Sequence, residues 1–290
     1  MKIGSLTTLG QELHFEEAVL AARLAAKDDT RADLTKALVE QLPQKSRTTR
    51  LRIAEKLIQR LVPIRQGQVQ ATPLVRFIAE TKDQQAARDI VFYLTARTDH
   101  IVAALACRVL HPALVEHSPP RGLSPQQFRI MNTAALFDVD AVVTRRFVIE
   151  YAARAWNYRS RASVLRALRI MRQAGLVDQV IVSERPAAIG FALAPHSVTV
   201  SAFALLLHEE LPARHRGGFA PHHIHELSVA RLFLLPTLHL SALLEKARAA
   251  GLLRRVRSGT RPLFALTHPT EEQAVSSLLS SIPPGKSRSR

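Results

Sequence analysis

Ala167-Leu-Arg-Ile-Met-Arg-Gln-Ala-Gly-Leu-Val177 and Leu243-Leu-Glu-Lys-Ala-Arg-Ala-Ala-Gly-Leu-Leu253 are two versions of one pattern. Read together, they decide the architecture of the C-terminal half. The first continues into Val180-Ile-Val-Ser-Glu-Arg-Pro186 and Gly190-Phe-Ala-Leu193, the second into Val256-Arg-Ser-Gly-Thr-Arg-Pro262 and Leu263-Phe-Ala-Leu266. Gly175 and Gly251 are 76 residues apart, as are Arg185-Pro186 and Arg261-Pro262, and two anchors with one offset imply a duplicated unit. Each copy reads as a helix, an Ala-Gly-Leu stop and a β-hairpin. Val164, Leu168 and Met171 form one apolar stripe, and Leu240, Leu243, Leu244 and Ala247 form its counterpart. Glycine just past the last turn supplies a left-handed cap, and the next Leu packs back on the helix. Ser258-Gly259-Thr260 marks the hairpin turn of the second copy.

This order resembles that of winged-helix domains, in which the helix before the stop enters the major groove and the hairpin lies on flanking backbone. The upstream helices are legible as well. Pro125–Leu136, Asp138–Ala155 and Ser160–Ala174 are the expected helices of the first copy, with Ser124 and Asp138 as N-caps. The second copy has Thr199–Leu211, His222–Leu235 and a third helix opening at Pro236-Thr237.

The charge is segregated. Forty Lys+Arg stand against 24 Asp+Glu, net +16. Pro43–Arg65 carries net +6, Arg145–Gly175 net +7, Lys246–Arg261 net +6 and the tail Ile282–Arg290 net +3, which leaves the rest of the chain at −6. A mildly acidic chain with concentrated cationic segments suits a polyanion, because neutralised phosphates release counterions. The bland alternative is that arginine is simply common on solvated helix faces. Aromatics at 5% are few for stacking on single strands, which favours duplex.

The cationic side chains nominate an interface. Arg159, Arg161, Ser163, Arg166, Arg169 and Arg172 lie on the solvent side of the first copy's third helix and suit phosphates. In the second copy Thr237, His239 and Ser241 open the helix where base edges are reached, while Arg254, Arg255, Arg257 and Arg261 decorate the wing. His239 has an equally good reading as a core residue against a neighbouring helix.

Residues 1–118 read as amphipathic helices: Leu13–Ala26, Thr30–Gln41, Ser46–Leu61, Thr72–Glu80 and Gln84–Leu110. Thr30 with Asp33 resembles a capping box. Ser5-Leu-Thr-Thr-Leu-Gly10, Glu16-Glu17, Leu42-Pro-Gln-Lys-Ser-Arg-Thr-Thr-Arg50 leading into Ile58-Gln-Arg-Leu61, and Trp156-x-x-x-Ser160 with Gln173-Ala-Gly-Leu176 resemble the BrxA proteins of bacteriophage-exclusion (BREX) defence systems, over about residues 1–180. The resemblance implies a small helical, NusB-like bundle that binds DNA and assists phage restriction, with no established catalysis. It carries over onto Lys45, Arg47, Arg50 and Arg52 and onto the helix after Trp156. The chain departs from the family by continuing into the second copy.

Catalytic constellations are absent from the pattern. Gly285-Lys286-Ser287 lacks the first glycine and preceding strand of a phosphate-binding loop. His222 with Glu226 and Asp138 with Asp140 read better as helix-terminal polar groups than as metal ligands, and His208-Glu209-Glu210 lacks the second His of a helical zinc-peptidase motif. Cys107, the single cysteine, reads as a buried thiol, and its solitude excludes an internal disulfide. The N-terminus lacks a signal-peptide pattern, and Pro186–His208, uncharged and long enough to span a bilayer, reads as a strand followed by a helix.

The sequence therefore predicts a mainly α protein: a helical N-terminal domain over 1–118, winged-helix units with short hairpin wings over 119–195 and 196–270, and a terminal helix and basic tail over 271–290. The expected function is non-enzymatic and cofactor-free. The chain would be a cytoplasmic DNA-binding accessory protein that partners double-stranded DNA, secondarily RNA or other defence-system proteins, and no membrane. A transcription regulator and a protein-interaction scaffold are the alternatives.

Overall fold

The computed structural model describes residues 13–27, 30–132, 141–158, 160–184, 187–195, 197–258 and 261–281. In chain order, α1 (Phe15–Ala25), α2 (Arg31–Gln41) and α3 (Arg47–Leu61) lead to a minimal hairpin of β1 (Ile64–Arg65) and β2 (Gln68–Val69), then to α4 (Pro73–Glu80), α5 (Gln84–Thr98) and α6 (His100–Leu105). A π-helix (Ala106–Val115) continues α6. There follow α7 (Pro125–Met131), β3 (Val142–Thr144), α8 (Arg145–Trp156), α9 (Arg161–Gln173), β4 (Val177–Glu184) and β5 (Ala187–Leu193). The rest is α10 (Val200–Glu210), α11 (Ala213–Arg216), α12 (Pro221–His225), α13 (Ser228–Leu232), α14 (Thr237–Ala249), β6 (Leu253–Ser258), β7 (Arg261–Leu266) and α15 (Glu271–Ser281). The protein is mainly helical with small antiparallel sheets.

Two compact units divide the described residues, and neither is one continuous stretch. One takes them from 13–14, 92–198 and 221–242, the other from 15–91, 199–220 and 243–281.

In the second of these, Ala18, Ala21, Ala22 and Ala25 present α1 as a small-residue face, buried to 3% exposure or less. Small side chains let α1 lie close against α3 and α4, which supply Ile53, Ala54, Leu57, Leu74, Phe77 and Ile78. Ser46 and Thr72 cap α3 and α4 by accepting from the N–H groups of Thr49 and Val75. The expected box at α2 forms only half. Thr30 Oγ1 accepts from Asp33 N–H, but the Asp33 carboxylate takes the Thr30 hydroxyl at 2.6 Å instead of reaching back to the cap's own N–H. Buried Asp89 accepts from Thr199 N–H at 2.7 Å and so fixes the start of α10.

In the first unit the helix expected over Gln84–Leu110 breaks. Asp99 leaves the helical region and caps α6 by accepting from the N–H groups of Ile101 and Val102, and the axis turns through 97° there. Apolar periodicity runs across Asp99 unbroken, which is why pattern alone missed the turn. The expected helix Asp138–Ala155 is also corrected. Its described part opens as a strand, Val142–Thr144, and the helix begins at Arg145 beneath a Thr144 cap. Residues 133–140, with Asp138 and Asp140, lie outside the described residues, as do Arg159, the Arg185-Pro186 pair and the tail 282–290.

The duplication is visible in bond-for-bond detail. Gly175 and Gly251 take φ of +74° and +75°. Leu176 N–H bonds Met171 O and Gly175 N–H bonds Arg172 O; Leu252 N–H bonds Ala247 O and Gly251 N–H bonds Arg248 O. Both helices thus end in the same Schellman cap. Each hairpin then closes on the cap, with Ala194 N–H on Leu176 O in one copy and Thr267 N–H on Leu252 O in the other.

Register corrects the repeat in one respect. Val177 pairs with Leu193, and Leu253 with Leu266, so the offset falls from 76 to 73 across the turn. Arg261-Pro262 therefore sits in β7, opposite Ser258 and Arg257, and is not the counterpart of Arg185-Pro186. A third strand in the first copy and a single bridge in the second, both unforeseen in the sequence, extend the hairpins. Val143 pairs with Phe191 in a three-stranded sheet of order β3-β5-β4, and at the equivalent position Phe219 and Phe264 exchange both backbone bonds. The packing between those strands is reciprocal. A Cβ at Gly190 would fall inside contact distance of Val142 Cγ1 and 2.7 Å from Val182 Cγ2. In the second copy the small residue has changed strands: Gly218 faces Leu263, whose Cδ1 lies 3.3 Å from where a Gly218 Cβ would stand. The helix expected over His222–Leu235 is divided into α12 and α13, broken at Glu226-Leu227.

Candidate nucleic-acid interface

Three clusters carry the sequence-nominated residues, and the structure treats their members unequally. Lys45, just before the α3 cap, and Arg47 and Arg52 on α3 are exposed while Arg50 is half-buried, with its Nε lacking a hydrogen-bond partner among the described residues. Arg47 and Arg50 occupy the first turn of a helix that has no acid there. Cations at a helix N-terminus oppose the macrodipole, so this placement costs stability.

On α9, Arg161, Arg169 and Arg172 are exposed, whereas Val164, Ala167, Leu168, Ile170 and Met171 are buried. At 100° per residue those three arginines fall within an arc of about 80°, and a rise of 1.5 Å per residue spreads them over roughly 16 Å. Arg166 stands apart from them. Its Nη1 lies 2.7 Å from Asp99 Oδ2, and the Arg166 and Asp99 side chains are 27% and 9% exposed. Since Asp99 also caps α6, this ion pair fastens α9 to the corner between α5 and α6. Ser163 is half-buried and bonded within the N-cap turn, with its N–H on Ser160 Oγ.

Thr237, His239 and Ser241 are all exposed at the start of α14. His239 is therefore not the core residue of the alternative reading. Leu238 between them is 82% exposed. Arg254, Arg255 and Arg257 are exposed on β6, and Arg261 lies in β7. Glu245 ties helix to hairpin: Arg248 Nε donates at 2.7 Å and Arg255 Nη2 at 2.5 Å to its two oxygens. Those bonds, Arg255 first, hold the Glu245 carboxyl below its ordinary pKa. At the positions equivalent to Arg248 and Arg255, the first copy has Arg172 donating to Gln179 Oε1 at 3.3 Å.

A cleft of about 830 Å³ in the first unit was not legible in the sequence, because its lining comes from the π-helix, the loop after it, α8 and α12–α13. No local spacing links those segments. Among the described residues no group of three His, Cys, Asp or Glu is placed to hold a metal, and no single helix is long and apolar enough to cross a membrane. The uncharged stretch once open to a membrane reading divides into β5 and α10.

A family model described as BrxA matches residues 5–119. Over that stretch the chain is similar to BrxA; the match stops before the repeat and is shorter than the resemblance read from the sequence. No curated protein and no solved structure matches the chain.

Proposed function

We propose that the chain is a non-enzymatic, DNA-binding accessory protein of a BREX-type defence system that grips duplex chiefly through its phosphate backbone. The observation that carries this reading is the row Arg161, Arg169 and Arg172 along one exposed face of α9. Its length of roughly 16 Å matches the scale of a major groove about 12 Å wide. Guanidiniums at such spacing meet phosphates and fix register without reading sequence. The order helix, strand, two helices and hairpin in the first copy supports a winged-helix reading, and the second copy's wing adds Arg254, Arg255 and Arg257. The BrxA match supports the defence context.

A regulator's reading of sequence has its own supporting observation, the exposed Thr237, His239 and Ser241 at the head of α14. Anisotropy titrations with several unrelated duplexes of about 20–30 base pairs, the span of two to three helical turns, separate the two. Affinities within a few-fold of one another support the accessory role. A single site preferred by 10³ or more supports a regulator, and then His239→Ala should alter the preferred site. Absence of binding to every duplex leaves the scaffold reading.

A further inference from the structure

The cleft beside the π-helix belongs to none of the basic surfaces assigned to duplex, yet it brings guanidiniums, an indole and a buried imidazole to one place. Its volume, about 830 Å³, lies within the usual range of small-ligand sites, roughly 300–1,000 Å³. Arg108, Arg121 and Arg231 line it with exposed guanidiniums from three different segments. Glu116 and Glu226 are its only carboxylates among the lining residues, so cations predominate. Trp156 lies half-buried at its wall, its ring 5.7 Å from Tyr151 and at 89° to it. That edge contact holds the indole while part of it remains open to the cleft. Tyr151 is itself fixed by donating to Arg121 O at 2.7 Å.

His111 supplies the pointer to a ligand. It lines the cleft at 4% exposure, and its Nε2 has no hydrogen-bond partner among the described residues. Its Nδ1 lies 3.4 Å from Glu116 Oε1, which favours the tautomer with the proton on Nδ1 and leaves Nε2 an acceptor. Burial, outweighing Glu116, holds the ring neutral at pH 7 by lowering its pKa. A buried acceptor without a donor costs free energy that a ligand N–H recovers. The π-helical turn that carries His111 is of a kind that concentrates at functional sites.

We propose that this cleft binds a nucleoside 5′-phosphate, with the phosphate on the guanidiniums, the base on Trp156 and a base N–H donated to His111 Nε2. An anion, a flat ring and a donor are the complement of the three features lining the site. The nucleotide has two sources, free in solution or as the phosphorylated terminal residue of a DNA strand.

Trp156 is the only tryptophan in the chain, so its fluorescence reports this site alone. The full chain is titrated with deoxynucleoside 5′-monophosphates, inorganic phosphate, and short single-stranded oligonucleotides with and without a 5′-phosphate. Saturable quenching by the monophosphates, at least about tenfold weaker for inorganic phosphate, supports the site with a free ligand. Quenching confined to 5′-phosphorylated oligonucleotides supports it with a strand end. Arg231→Ala, at an exposed position outside the core, and His111→Leu should each weaken the response about tenfold. Quenching by none of these ligands, equal quenching with and without the 5′-phosphate, or a response unchanged in Arg231→Ala overturns the proposal. Because no duplex is present, its failure is distinguishable from failure of the DNA-binding reading.

Discussion

The two copies of the repeat share a backbone and divide their charge in opposite ways. In the first, arginines run along the helix and the described face of β4 carries Asp178 and Gln179; in the second, α14 opens with Thr237, His239 and Ser241 and the arginines have moved to the wing. Arg169, Arg172 and Gln179 become Glu245, Arg248 and Arg255 at the same structural positions. Packing has been exchanged in the same manner, Val142 against Gly190 in one copy and Gly218 against Leu263 in the other. A duplicated scaffold holds its Schellman cap and strand closure constant while side chains on its two presenting elements are free to diverge. That difference predicts separate jobs: position from the first helix, orientation and preference from the second copy.

The packing half of the comparison breaks most readily. Gly190→Val places a branched side chain against Val142 and Val182 and should cost about 3 kcal/mol of unfolding free energy. Adding Val142→Ala should recover part of that loss in a double-mutant cycle by chemical denaturation. Gly218→Val, facing the movable tip of Leu263, should cost less than Gly190→Val. Equal losses would contradict the reciprocal fit.

Acid should strain the second copy through its first helix. His208 on α10 is 3% exposed, and burial lowers its pKa to about 4, with Arg216 and His268 adding to the shift. The folded state therefore binds the proton less readily than the unfolded chain, whose histidine titrates near 6.5. Stability is fully present above pH 6.5 and is lost as pH falls towards 4, by up to about 3 kcal/mol from this group. Denaturant midpoints across that window check it, and His208→Leu should flatten the profile.

Arg166 sharpens the charge half. Its ion pair with the α6 cap predicts that Arg166→Ala lowers stability by about 1–2 kcal/mol. Its effect on DNA affinity should be smaller than that of Arg172→Ala. The smallest expected change is a gain. Glu245→Gln removes a carboxylate from between two guanidiniums and should tighten duplex binding about two- to threefold, measured by anisotropy at moderate salt.

Local chemistry made much of this legible. The glycine caps, the stripes Val164-Leu168-Met171 and Leu240-Leu243-Leu244-Ala247, and the Ser124 N-cap all stand where their spacing put them. What stayed hidden was short or non-local. Val142–Thr144 and the single bridge at Phe219 are too brief to show a strand's alternation, and they exist because β5 and β7 offer an edge. The break at Asp99 needed a cap to be recognised inside an apolar run, and Arg166 resembled its solvent-facing neighbours until Asp99 was brought beside it. Sequence spacing also read Arg-Pro as a shared anchor, since a hairpin shortened by three residues leaves no mark until its register is known.

The most direct test is the salt dependence of binding to one duplex of about 25 base pairs, for the parent chain, for Arg161, Arg169 and Arg172 all replaced by Ala, and for Arg254, Arg255 and Arg257 all replaced by Ala. The parent should lose affinity steeply with salt, and each triple variant should have a shallower slope by roughly two to three counterions, because each neutralised phosphate contributes about 0.9 to the slope. A flat parent titration, or slopes unchanged in both variants, would contradict the account.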